Sequence, residues 1–251
     1  MERIDMEDLQ KMPLIVIPKS LHLCNNKAIQ IVDEAIGGHH VHLGLSQLQL
    51  VALALAIERL KGEGSEFKAY LQSLPLVPPC PWYDRRLVEA CYSDLLKATR
   101  QVVAQAVPLE LWCEDEHSWP QAVMDEKIRY ETLADEILLR LKLTSYDGLI
   151  DRQAILWCLA QVASRSLGSG NASGLVPYCD LLNHSSSTRP PMIQLSDMEE
   201  TYDQLVITVT NIKDGEVKEM EEGEELLISY GDLESQPLKT YIKFGFTIES
   251  S

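Results

Sequence analysis

The chain carries the stretch Asp180-Leu-Leu-Asn-His184, in which an amide and an imidazole follow an apolar run. A second stretch, Ile228-Ser-Tyr-Gly231, places a tyrosine at the end of a predicted strand. Polar side chains are disfavoured in a protein core, because each buried polar group must find a hydrogen-bond partner. We therefore interpret Asn183 and His184 as contacts to a polar ligand, with the Tyr230 phenol oxygen beside it. Taken singly, each residue also fits an ordinary turn or core position.

The composition narrows the classes of partner. The 251 residues are 45% hydrophobic and 24% charged, with a formal net charge of −16. A protein of this length can bury a substantial core as a soluble globular chain. The acidic balance argues against nucleic-acid binding, which depends on clustered Lys and Arg. It is compatible with a basic protein or peptide partner, and equally with plain solubility.

Cysteine usage and apolar runs bear on location and metal binding. The six cysteines are widely spaced without a Cys-x-x-Cys motif, which predicts packed thiols in the cytoplasm or nucleus. The longest apolar run, Leu48–Ile57, is interrupted by Gln49 and too short to cross a bilayer, so no membrane association is expected. His39, His40 and His42 lie in a glycine-flanked loop without a carboxylate or cysteine cluster, and we expect no metal site.

The pattern of the chain predicts an α+β fold. Short strands are expected at Leu14–Pro18, Leu205–Thr210 and Glu225–Ser229. Helices are expected after an N-cap at Ser46, ending near Gly62, and after an N-cap at Asp151. The first of these is apolar nearly all round, which predicts burial on more than one side. Helical spacing predicts two further helices, at Asp84–Val107 and Gln121–Leu143.

Four motifs together carry a resemblance to a known family. They are Ser164-Arg165, Leu175–His184, Gly223–Gly231 and Phe244-Gly-Phe246. In this order and spacing the chain resembles the SET-domain protein methyltransferases, in the branch of the Rubisco large-subunit methyltransferase. The resemblance implies a β-rich SET core split by a helical insert. The expected domains are residues 12–44 as the N-terminal part of the core, 45–150 as the insert and 151–251 as the C-terminal part with the functional motifs.

The resemblance also implies a cofactor, S-adenosyl-L-methionine, and roles for individual residues. By position, Tyr230 resembles the family's active-site tyrosine and Arg165 its arginine on the cofactor carboxylate, although Arg165 alone could be a helix C-terminal cation. Asp180 looks like the aspartate beside the amino end of the cofactor. Asn183 and His184 match the pair that contacts the cofactor amino group and adenine. Phe244 and Phe246 would lie against the adenine, or serve only packing.

The chain departs from the family pattern in places. Only residues 1–11 precede the expected N-terminal part of the core, and they contain no glycine for the usual cofactor-wrapping turn. The N-terminal strands of the SET core and the helical C-terminal substrate-binding domain are therefore expected to be absent, as in a truncated isoform or a fragment. Leu167 stands where lysine-methylating members tend to have Phe and histidine-methylating members Asn. An apolar residue cannot hydrogen-bond an imidazole, so Leu167 favours a lysine substrate.

Three functions follow from this reading. The first is an S-adenosylmethionine-dependent protein lysine N-methyltransferase acting on a non-histone protein. The second is a catalytically inactive SET-like interaction module, motivated by the short N-terminal segment. The third, protein histidine methylation, is weakened by Leu167.

Overall fold

The computed structural model describes residues 13–37, 44–83, 118–142, 144–167, 173–184, 193–196, 204–209, 212–213, 216–217, 225–228 and 236–246, with single positions 223, 230 and 233. Within these residues the chain combines helices and short strands, so the predicted α+β class is confirmed. The helix predicted over Asp84–Val107 lies outside the described residues.

Contacts between residues divide the chain into two units. The helical unit takes in the described residues of Leu23–Leu175 and Leu233–Ser250. The strand unit takes in the described residues of Met1–His22 and Val176–Asp232. The strand unit is thus assembled from two stretches that are far apart in sequence. The domain boundaries proposed from the resemblance remain predictions.

The helical unit contains six described helices and one short pair of strands. Strand β2 (Leu23–Cys24) pairs antiparallel with β3 (Gly174–Leu175). Helix α2 (Gln47–Lys61) packs against both α1 (Asn25–Ile36) and α5 (Arg152–Arg165). The described elements, in chain order, are β2 (Leu23–Cys24), α1 (Asn25–Ile36), α2 (Gln47–Lys61), α3 (Lys68–Ser73), α4 (Ser118–Leu141), α5 (Arg152–Arg165), β3 (Gly174–Leu175) and α6 (Pro237–Phe244).

Helix α2 is the centre of the helical unit. Ser46 caps its first turn: the Gln49 N–H donates to Ser46 Oγ at 3.4 Å, and the Ser46 N–H donates to Gln49 Oε1 at 2.9 Å. This reciprocal arrangement satisfies backbone donors that a helix start leaves open. Every residue from Gln49 to Glu58 is buried. The predicted start at Ser46, the end at Gly62 and the burial on several sides are all confirmed.

Helix α5 begins as the sequence predicts. The Asp151 carboxylate accepts the Ala154 N–H at 2.7 Å and so caps the helix. Further along α5, Trp157 donates its indole N–H to the carbonyl oxygens of Pro75 and Leu76, at 3.2 and 3.0 Å. The proline-rich connector after α3 has no regular ladder of its own, so these bonds hold it against α5.

Gln49 connects two helices through polar bonds inside the core. Its side chain is 2% exposed and donates to Glu136 Oε2 at 2.7 Å and to the Leu133 carbonyl at 3.3 Å, both on α4. Its side-chain carbonyl oxygen accepts the Ser46 N–H and so completes the cap of α2. A buried amide is tolerated because both of its ends have partners.

Replacing Gln49 with Met should therefore destabilise the protein at nearly constant side-chain size. We expect the free energy of unfolding, measured in urea, to fall by about 1–3 kcal/mol, the usual cost of breaking buried hydrogen bonds. Gln30→Met is the matched control, because Gln30 is exposed on α1 and, among the described residues, its side chain bonds Glu34 of its own helix and no other. Its effect should stay within about 0.5 kcal/mol. Equal losses in the two variants would contradict the assignment.

Gly245 ends helix α6 in a left-handed conformation, with φ of 75°. Gly37 ends α1 in the same way, with φ of 73°. The two positions differ in the space around them. A Cβ at Gly245 would collide with the Pro79 carbonyl oxygen, whereas a Cβ at Gly37 would meet no atom of the described residues within 4 Å. The requirement for glycine is therefore conformational at Gly37, and both conformational and steric at Gly245.

The pair gives a comparison in which only steric space differs. Gly37→Ala should lower the free energy of unfolding by about 1–2 kcal/mol, because alanine is disfavoured in the left-handed backbone conformation. Gly245→Ala should cost about 1–3 kcal/mol more, because the methyl group must displace the connector. Urea unfolding of both variants measures the difference. Similar losses of unfolding free energy in the two variants would show that the chain at Pro79 moves aside at no cost.

The strand unit contains three sets of paired strands. A three-stranded antiparallel sheet has β6 in the middle, with β1 and β5 on either side. Strands β7 and β8 form an antiparallel pair, while β4 and β9 are parallel. The described strands, in chain order, are β1 (Pro13–Pro18), β4 (Asn183–His184), β5 (Ile193–Ser196), β6 (Gln204–Val209), β7 (Ile212–Lys213), β8 (Glu216–Val217) and β9 (Leu227–Ile228).

Two of the three predicted strands are confirmed as β1 and β6. The third, expected over Glu225–Ser229, is paired only at Leu227 and Ile228. It is shorter than predicted because its described partner strand is only two residues long.

Candidate functional site

The parallel pairing of β4 with β9 joins the two stretches on which the functional hypothesis depends. Asn183 lies opposite Leu227, and His184 lies opposite Ile228. Leu227 and Ile228 are buried, so the pairing is anchored on its β9 side by apolar contact. As a result, the segment that ends in Asn183 and His184 runs beside the segment that ends in Tyr230.

Tyr230 is held at both ends by the segment beside it. Its backbone N–H donates to His184 Nδ1 at 3.0 Å. Its phenol O–H donates to the carbonyl oxygen of Leu182. The Tyr230 and His184 rings lie with centroids 5.3 Å apart and planes tilted by 37°. The predicted grouping of His184 with Tyr230 is thus present in the strand unit.

Asn183 lies between these two contacts and bonds a residue that the sequence analysis did not single out. Its Nδ2 donates to Glu225 Oε1 at 2.6 Å, and both side chains are exposed. An ionised carboxylate only accepts hydrogen bonds, so the amide nitrogen of Asn183 must face Glu225. Glu225 stands two residues before the position opposite Asn183, a diagonal relation that only the strand register reveals.

Asp180 occupies a short 3-10 turn over Cys179–Leu181, just before β4. Its residue is 6% exposed, and its backbone N–H donates to the Val176 carbonyl at 3.1 Å. Burial, reinforced by the Asp180 carboxylate, raises the pKa of the neighbouring Cys179 thiol to about 12. Cys179 therefore stays protonated at neutral pH and offers no thiolate nucleophile.

The residue that leads into this turn has an unusual backbone. Tyr178 has φ of 70° and ψ of −39°, the only positive φ at a non-glycine residue in the described part of the chain. L-residues adopt this region at a cost of roughly 1–3 kcal/mol. Its side chain is exposed while Cys179 and Asp180 are buried. The turn therefore directs Asp180 inward at the expense of strain at Tyr178.

The other three candidate residues lie in the helical unit. Arg165 is the last residue of α5 and donates from Nε to Gln161 Oε1 at 3.2 Å. A cation at this place also suits the negative end of the helix, the alternative considered from sequence. Phe244 and Phe246 are neighbours, with ring centroids 5.8 Å apart. Phe244 is 8% exposed and Phe246 39%, so Phe244 packs in the core and Phe246 faces outward.

Cys80 links helices in the same unit. Its Sγ lies 3.5 Å from the Ala160 carbonyl of α5 and 3.3 Å from the Lys243 carbonyl of α6, which places a weak S–H donor between two acceptors. Burial raises the pKa of this thiol to about 12, so it acts as a packed neutral group.

Among the described residues, no three His, Cys, Asp or Glu side chains gather as a metal site would require. His39, His40 and His42 lie outside those residues. None of the described helices is both long and apolar enough to cross a bilayer.

Comparisons with known proteins show a likeness of fold. No protein-family model matches the sequence, and no curated protein sequence is significantly similar to it. Solved structures do resemble it. The SET domain of LSMT bound to lysine and AdoHcy superposes with a TM-score of 0.61 at 16% identity, covering 94% of this chain and 48% of that one. The SET domain of LSMT bound to methyl-lysine and AdoHcy gives 0.59 at 20% identity, covering 95% and 47%.

A third structure agrees with these two. Rubisco LSMT bound to AdoMet gives a TM-score of 0.57 at 21% identity, covering 94% of this chain and 46% of that one. The chain thus spans about half the length of the chains that it resembles. The likeness shows that the protein has a SET-like α+β fold, as expected from the sequence motifs, while the helical insert remains a prediction.

Proposed function

We propose that the chain is an S-adenosylmethionine-dependent protein lysine N-methyltransferase that acts on a non-histone protein in the cytoplasm or nucleus. The observation that carries the proposal is the two-ended attachment of Tyr230 to Leu182 and His184. The solved structures of similar fold are described as bound to lysine or methyl-lysine with AdoHcy, and to AdoMet. Both support a methyl-transfer site around Tyr230.

The side chains of the strand unit suit methyl transfer. When bound, S-adenosylmethionine supplies a methyl group already activated on a positively charged sulfur, so the protein need only bind, orient and exclude water. Neither a metal nor a covalent nucleophile is required. The protonated state of the Cys179 thiol is in keeping with that requirement.

Tyr230 has the geometry for an orienting role. Its phenol hydrogen is directed to the Leu182 carbonyl, which leaves the lone pairs of the phenol oxygen for other partners. A fixed oxygen lone pair stabilises a positively polarised methyl group and orients an approaching amine. We assign this role to Tyr230, and we propose that an apolar channel for the lysine favours the neutral form of its amine by desolvation.

Asn183 is suited to bind a cofactor amino group. Because its Nδ2 faces Glu225, its carbonyl oxygen is turned away from that carboxylate and can accept from an ammonium. Asp180 completes the proposed contacts of this segment. His184, for which the sequence motifs imply a further cofactor contact, accepts the Tyr230 N–H through Nδ1. Arg165, Phe244 and Phe246 keep the cofactor-binding roles implied by the sequence motifs, as predictions to be tested one at a time.

Lysine is the proposed acceptor rather than histidine because of Leu167. Its side chain is apolar, and its backbone N–H and carbonyl both bond Gly174, at 2.9 and 3.0 Å. The residue is thereby fixed without offering a partner to an imidazole nitrogen. The net charge of −16 suits a basic segment of a partner protein.

Replacing Tyr230 with Phe tests the catalytic assignment. We expect the rate of methyl transfer to fall by about 100-fold or more, the size seen when one preorganised polar group is lost from an active site. Labelled S-adenosylmethionine incubated with a cell extract and the purified protein measures transfer, and mass spectrometry identifies the modified residue. Tyr146→Phe, at a half-buried tyrosine of the helical unit, is the matched control. Full activity of Tyr230→Phe, or label found on histidine, would contradict the proposal.

Cofactor binding is tested separately from catalysis. Calorimetry with S-adenosylhomocysteine should show binding to the wild-type chain, with affinity lowered about tenfold or more in Asn183→Ala through loss of a charge-assisted hydrogen bond. Tyr230→Phe should bind nearly as well as the wild type. Absence of binding heat and of any thermal shift in the wild type would favour the non-catalytic interaction module.

A further inference from the structure

The two nitrogens of the His184 ring have different roles. Nδ1 accepts the Tyr230 N–H at 3.0 Å. A ring nitrogen can accept a hydrogen bond only while it carries no proton. The neutral ring must therefore hold its proton on Nε2, and a doubly protonated ring would set an N–H against an N–H.

The bond to His184 adds a side-chain contact beyond the described part of the strand ladder. The described pairs of β4 and β9 reach His184 opposite Ile228. Tyr230 follows two residues later and lies outside the strand. Its N–H would otherwise need water or another acceptor, since strand N–H groups rarely stay unpaired when buried. The His184 side chain thus supplies a hydrogen-bond acceptor for the backbone of Tyr230, outside the described strand.

Fixing the backbone of Tyr230 also fixes its phenol. The phenol reaches the Leu182 carbonyl, so the tyrosine is attached at its backbone and at its tip to residues on either side of Asn183. Loss of the backbone bond would remove one of the two hydrogen bonds that fix the position of the phenol. A displacement of about 1 Å in a catalytic group is enough to lower a rate about 100-fold.

We propose that the His184 imidazole, neutral and protonated on Nε2, is a positioning residue that sets the place of the Tyr230 phenol through the Tyr230 backbone. The kinetic part of this inference rests on the proposed function, whereas its structural part does not. It differs from the role implied by the sequence motifs, in which His184 is a cofactor contact. The two roles are separable, because one affects turnover and the other affects cofactor affinity.

Two substitutions separate the ring nitrogens. The Asn side chain reaches about as far as Nδ1 and offers a carbonyl acceptor there, while the Gln side chain reaches about as far as Nε2. For His184→Gln we expect kcat to fall about tenfold or more, with the KM for S-adenosylmethionine changed less than about threefold. His184→Asn should recover at least about threefold of that kcat. A large rise in KM with unchanged kcat, or equal kcat in the two variants, would overturn the positioning role.

The tautomer can be measured without any activity. In the ¹⁵N-labelled wild-type protein, the nitrogen shifts of His184 at neutral pH report which ring nitrogen carries the proton. Protonation on Nε2 alone, with slow exchange of the Tyr230 amide, is the expected result. A proton on Nδ1 would overturn the inference even if the enzyme is active. If the chain neither binds cofactor nor methylates, the proposed function fails, while the nitrogen shifts still decide the structural part.

Discussion

The parallel pairing of Asn183–His184 with Leu227–Ile228 is the constraint on which the candidate site depends. It has two residue pairs in the described part of the chain, and a parallel pair is less stable per residue than an antiparallel one. Three side-chain bonds supplement it: His184 to the Tyr230 backbone, Tyr230 to the Leu182 carbonyl, and Asn183 to Glu225. The residues that would act on a ligand are therefore also the residues that hold the strands together. Function and local stability cannot be separated at this place.

The helical unit meets a different constraint, because α2 is buried on all sides through its middle turns. Such a helix has no solvated face for its polar residues. Gln49 and Glu58 are buried there and bond Glu136 and Ser65 respectively, with Ser65 Oγ donating to the Glu58 carboxylate at 2.6 Å. These bonds make the packing of α2 directional in a way that apolar contact alone does not.

Local chemistry made much of the fold predictable from sequence. Ser46 and Asp151 were recognised as helix N-caps because capping depends on residues within one turn. The bond from Gln49 to Glu136 was not foreseen, since the two are 87 positions apart and share no local pattern. The strand predicted around Leu227 came out shorter, because strand length is set by the partner strand as well as by propensity.

The candidate site was predictable in part, for the same reason. The motif around Asp180–His184 and Tyr230 pointed to a common location, and the structure joins His184 to Tyr230. The contact of Glu225 with Asn183 was missed, because only the strand register places the two side chains next to each other. The strained backbone of Tyr178 carries no sequence signal, since glycine or asparagine is the usual marker of that conformation.

The bond between Asn183 and Glu225 spans 42 positions of the chain, and it bears on how the protein folds. Closing so long a loop costs entropy before any contact compensates for it. In the described residues, two residue pairs of β4 with β9 and a few side-chain bonds offset this cost. The helices of the other unit, by contrast, nucleate from neighbours in sequence. We expect the tyrosine to take its place late in folding, and to lose it first when the native state opens locally. A chain with full helix content can therefore lack an assembled candidate site.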